Sequence, residues 1–94
     1  MTAEPCDLSA VEARRLIGRK ALSPVELLES CLRRIEAVNP AVNAFVALDA
    51  DRARDAARDA ETAVMRGDHL QPLHGLPIGI KDLEETAGLR TTYG

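Results

Sequence analysis

Aromatic side chains are nearly absent from this sequence: Phe45 and Tyr93 are the only two among 94 residues, and there is no tryptophan. That scarcity argues against a base-stacking surface and against an aromatic ligand cage. Cysteine is also sparse. Cys6 and Cys31 fit neither a metal spacing nor a redox-pair spacing, and they read as two reduced thiols of a reducing compartment. No apolar run approaches the ~20 residues that a membrane span needs. The segment from Met1 to Asp7 holds an acid and a proline but no basic stretch, so no signal peptide is expected. Charge of one sign never forms a block: 12 basic and 15 acidic side chains interleave to a net −3. Such a surface gives no electrostatic footprint for nucleic acid. The expectation is a cytoplasmic chain, with no membrane and no nucleic-acid partner evident.

What the sequence does have is small aliphatic residues at helical spacing. Hydrophobic residues make up 46% of the chain, mostly Ala, Leu, Val and Ile, which excludes disorder and suits helices in close contact. The length allows one small domain with a modest core. Ser9 followed by Glu12 is a capping box, predicting a helix near 9–18, with Gly18 as its stop. Ser23-Pro24-Val25-Glu26 adds a proline at the first helical position. Leu28, Cys31, Leu32 and Ile35 then follow the i, i+3, i+4, i+7 template, so a second helix is predicted near 24–38. Glu29 and Arg33 stand four apart on its polar side, and Asn39-Pro40 is expected to end it. A third helix is predicted near 50–66. It has an alanine face from Ala53 to Ala63, an opposite-charge face, and Gly67 as its cap. An alanine face buries little by itself and needs a partner surface.

Two short segments read as strands, near 43–48 and near 76–81. In the second, Leu76, Ile78 and Ile80 alternate with Pro77, Gly79 and Lys81. Proline confines such a strand to an edge or an entry position. Lys81 is the one residue singled out by its setting. Gly79 removes the same-face side chain that would crowd the lysine stem, so the amine could run inward. A desolvated amine loses its proton more readily and becomes a base. A lysine at a strand end reaching out to water is the commoner outcome for this residue type. His69 and His74 lie five apart with no third histidine, so no metal site is expected and loop surface is the natural place for both. Gly75, Gly79 and Gly88 match neither phosphate-binding glycine pattern.

The run Pro72-Leu73-His74-Gly75-Leu76-Pro77-Ile78-Gly79-Ile80-Lys81-Asp82 resembles the lysine block of the amidase signature family. Gly88-Leu89-Arg90-Thr91-Thr92-Tyr93-Gly94 resembles the segment that follows it there. Leu22-Ser23-Pro24-Val25-Glu26-Leu27 is similar to the family's helix start, and Asn39-Pro40 with Asn43-Ala44-Phe45 is similar to its turn and strand. The blocks keep family order across most of the chain. The resemblance implies an α/β amidase-signature fold. Residues 1–94 would then be the N-terminal portion of a single amidase domain: three helices plus two or so strands of a mixed central sheet. It also implies amide hydrolysis by a nucleophilic serine, a second serine in a cis peptide, and a lysine, which maps onto Lys81. No metal or organic cofactor is implied.

The family's two serines lie in a glycine- and serine-rich stretch several dozen residues beyond the lysine block. The serines here are Ser9, Ser23 and Ser30, all at helix starts or on a helix, and none resembles that stretch. The expected partners are a small amide substrate in the full-length enzyme and either the remainder of the amidase domain or a second copy of the chain. The alternative is a small helical binding module derived from an amidase front end.

Overall fold

The computed structural model describes residues 4–42 and 48–78. The described chain begins with a 3₁₀ turn, Pro5–Asp7, and continues through three helices: α1 (Ala10–Gly18), α2 (Pro24–Val42) and α3 (Ala50–Arg66). None of them is long and apolar enough to cross a membrane.

Each helix starts where a short polar side chain can take up a free backbone N–H. Ser9 Oγ accepts from the Glu12 amide at 3.1 Å, while the Glu12 carboxylate turns to Arg15 instead of closing the box. At the start of α2 the Glu26 carboxylate accepts from the Ser23 amide at 3.2 Å, and Ser23 Oγ accepts from Val25 N–H at 3.0 Å. Asp49 caps α3 by accepting from Arg52 N–H at 3.1 Å.

The helix ends differ from expectation at two of three places. α3 stops as foreseen, with Gly67 left-handed (φ 78°) and the amides of Gly67 and Asp68 turned back to the carbonyls of Val64 and Ala63. In α1, Gly18 is the last helical residue, and the left-handed position falls on Lys20 (φ 62°). The amides of Lys20 and Ala21 bond the carbonyls of Ile17 and Leu16 at 3.0 and 2.9 Å, the same two-bond closure built on a residue with a side chain. α2 runs through Asn39-Pro40 to Val42. A proline here removes one amide near the helix end, and the helix continues only briefly beyond it.

Ala13, Ile17, Leu22, Leu27 and Val64 form the buried core, with Leu8, Leu16, Cys31, Leu70 and Leu76 packed around it. Each fully buried leucine or isoleucine contributes about 1.5–3 kcal/mol relative to exposure. Glu29 does not hold Arg33. It takes Arg54 of α3 at 2.6 Å, tying α2 to α3, and Arg33 pairs with Glu4 at 3.6 Å.

The expected mixed sheet is corrected. There is no strand among the described residues, which are helical or turn-like. Residues 43–47 and 79–81 of the two expected strands lie outside the described residues. Those that are described, Leu48 and Leu76 to Ile78, are not paired. A strand exists by its ladder, and the bonds here run locally. The Leu76 amide bonds the Leu73 carbonyl at 3.2 Å as a turn does. Pro77 has no amide to give. The expected common face fails as well: Leu76 packs on the core, whereas Ile78 is 79% exposed.

Candidate functional site

Lys81 and the segments 43–45 and 88–94 lie outside the described residues. What the structure describes is the lead-in to Lys81, residues 70–78, and how the helices hold it. Arg14 on α1 donates from Nε and Nη2 to the Gln71 carbonyl at 3.2 and 3.1 Å. His74 closes a turn through its amide, bonded to the same Gln71 carbonyl at 3.1 Å. Its Nε2 lies 2.9 Å from the Ala60 carbonyl of α3. A carbonyl only accepts, so Nε2 carries the hydrogen.

His74 is therefore not the loop-surface residue expected; it is half-buried, while His69 is exposed as foreseen. Nothing in the local pattern around His74 names a partner fourteen residues away on another element. A half-buried histidine beside a left-handed glycine is recognised only once the chain is folded.

Gly75 is held in the left-handed region (φ 83°) directly against the helices. A methyl group there would meet Pro24 Cγ at 3.0 Å and Ile17 Cδ1 at 3.2 Å. Two motif blocks far apart in sequence, Ser23-Pro24 and His74-Gly75, thus meet face to face. Pro24 is fully buried in the contact. Ser23 Oγ also donates to Glu61 Oε2 of α3 at 2.8 Å, locking the start of α2 beside the turn of α3 that carries Ala60.

The three serines are all engaged. Ser9 and Ser23 cap helices, and Ser30, 2% exposed, accepts the Cys6 amide at 3.0 Å. None faces a histidine or lysine base among the described residues, where no side-chain nitrogen or oxygen is buried without a partner. No group of three His, Cys, Asp or Glu among the described residues could hold a metal ion. Between α2 and α3 runs an apolar groove of about 630 Å³, walled by Leu28, Leu32, Ile35, Ala53, Ala57 and Ala60, with Gly75 to Ile78 along it. The alanine face of α3 is therefore only partly covered.

Comparison with known proteins decides the family. The amidase family model matches residues 26–94. The chain belongs to the amidase family. The amidase match takes in Ser30, the whole of α3, the His74-Gly75 turn and Lys81. The chain is 43% identical over 91 residues to a glutamyl-tRNA(Gln) amidotransferase subunit from Anaeromyxobacter sp. (strain K), covering 97% of this chain and 18% of that protein. It is 46% identical over 85 residues to the protein of the same name from Roseiflexus castenholzii, covering 90% and 17%. It is 40% identical over 87 residues to acylamidase of Rhodococcus erythropolis, covering 93% and 18%. The amidase chain thus spans just under a fifth of the length of these relatives. No solved structure matches it.

Proposed function

We propose that this chain is the amino-terminal portion of a single amidase domain and that Lys81 is the catalytic lysine of a centre hydrolysing a carboxylic amide. The observation that carries this reading is the family match, which runs without interruption through the lysine block. The geometry supports it: His74, Gly75 and Leu76, the described front of that block, are fixed to all three helices, so the chain entering Lys81 starts from a rigid base.

In the proposed chemistry the Lys81 amine, held neutral by desolvation, takes a proton from a bridging serine in a cis peptide. That serine takes one from the nucleophilic serine, whose oxygen attacks the amide carbonyl. Backbone N–H groups stabilise the oxyanion, the amine leaves with a returned proton, and water cleaves the acyl-enzyme. Neither serine is among these 94 residues, because Ser9, Ser23 and Ser30 serve the helices. The 94 residues alone are accordingly inactive, and their natural partner is the rest of the amidase polypeptide. Among relatives named acylamidase and glutamyl-tRNA(Gln) amidotransferase, the shared requirement is a carboxylic amide, which we take as the substrate class.

The test has two arms. In a full-length chain carrying the family's serine-rich stretch, Lys81→Ala lowers kcat on a simple aryl amide by on the order of 10³-fold or more. The 94-residue chain shows no turnover of the same amide. Full activity in Lys81→Ala, or turnover by the short chain that survives this substitution, overturns the assignment. A second reading, a helical interaction module, draws on the partly open groove between α2 and α3. Reversible dimerisation of the 94 residues with high thermal stability would favour it.

A further inference from the structure

We infer that Cys6 and Cys31 form a redox-controlled pair, able to close an intramolecular disulfide that staples the N-terminal 3₁₀ turn to α2. The two residues are brought together by contacts on either side of them. The Cys6 amide donates to Ser30 Oγ at 3.0 Å, and the carboxylate of its neighbour Asp7 accepts from Arg34 Nη2 at 2.8 Å. Ser30 and Arg34 are one helical turn apart, and Cys31 sits between them as the near neighbour of both. Both thiols line the same apolar groove, both residues are half-buried, and neither is engaged in a disulfide. Nothing in the proposed amidase chemistry uses either one. The reduced state expected from sequence is the starting point of the pair, and an oxidising encounter would be its switch.

The oxidant is a small-molecule disulfide such as oxidised glutathione. Burial and the neighbouring Cys6 push the Cys31 thiol up, so the first attack falls to Cys6. The Cys6 thiolate attacks one glutathione sulfur and expels a glutathione thiolate, leaving a mixed disulfide. The Cys31 thiolate then attacks the Cys6 sulfur and expels the second glutathione. Two protein thiols are oxidised by two electrons, and one glutathione disulfide is reduced to two thiols, which take up the two protons.

The experiment treats the native chain, at micromolar concentration, with oxidised glutathione. Both thiols should lose maleimide reactivity together, the monomer mass should fall by two hydrogens, and the thermal midpoint should rise by about 10 °C, reversibly with dithiothreitol. Cys6→Ser and Cys31→Ser should each stop at the glutathione adduct. The second step should also run faster in buffer than in urea, because the fold supplies the proximity. A wild-type chain that stalls at the adduct, that cross-links between molecules, or that closes no faster when folded overturns the pair.

Discussion

His74 Nε2 lies 2.9 Å from the carbonyl oxygen of Ala60, joining the turn that leads into the lysine block to α3. The bond is half-buried, so its loss is not fully made up by water. A net intramolecular hydrogen bond contributes about 0.5–1.5 kcal/mol, and the ring adds packing. His74→Ala should therefore lower stability by about 1–2 kcal/mol in a urea titration. His74→Gln, whose amide can donate from a similar reach, should recover part of it. Equal midpoints for all three proteins would show that the contact holds nothing.

Gly75 and Gly67 make a matched pair for separating backbone strain from crowding. Both are left-handed, at φ 83° and 78°. A Cβ at Gly67 meets nothing within 4 Å, whereas one at Gly75 meets Pro24 and Ile17 at 3.0 and 3.2 Å. Gly67→Ala should cost about 1 kcal/mol, the left-handed penalty alone. Gly75→Ala should cost about 2–4 kcal/mol, since the buried ring of Pro24 and the side chain of Ile17 must also give way. Equal losses at the two sites would contradict the packing of the two motif blocks on each other.

The helices were legible because their signals are local. Ser9, Ser23 and the alanine face of α3 declare themselves within a few residues, and Gly67 declares its own turn. The end of α1 was not, because closure at Lys20 depends on how Leu22 enters the core, which no local pattern reports. The strand reading of 76–81 took apolar alternation as sufficient, although a strand needs a neighbour and Leu76 finds the helices instead. Of the candidate site, Lys81 was singled out by its setting and by resemblance. The roles of His74 and Arg14 arise from elements distant in sequence, and periodicity cannot see across that distance.

Lys20 offers a gain in stability. It occupies φ 62° at the end of α1, a conformation in which a Cβ crowds the following carbonyl. The closure of the helix uses its backbone amide, which glycine keeps. Lys20→Gly should stabilise the chain by about 0.5–1 kcal/mol, the strain relieved outweighing the added freedom of the unfolded chain. Thermal unfolding checks this, and a lower midpoint would mean that the lysine stem packs where the backbone alone does not show it.

Glu29 sets the acid limit of the contact between α2 and α3. Hydrogen bonds from Arg54, then its charge, hold the Glu29 carboxyl below its ordinary value of 4.5. A carboxyl whose folded value is depressed contributes its stability above the unfolded value and loses it as pH falls through the folded one. The Glu29–Arg54 link should therefore be fully present at neutral pH and fade below about pH 4.5. The side chains are both about one-third exposed, so the contribution is screened and modest. Comparing urea midpoints of the native chain and Glu29→Gln across pH isolates it. The native chain should be the more stable at pH 7, and the gap should close as pH drops below the carboxylate range. A gap that persists at pH 2.5, or widens as the solution is acidified, would show that the pairing with Arg54 does not hold the two helices together.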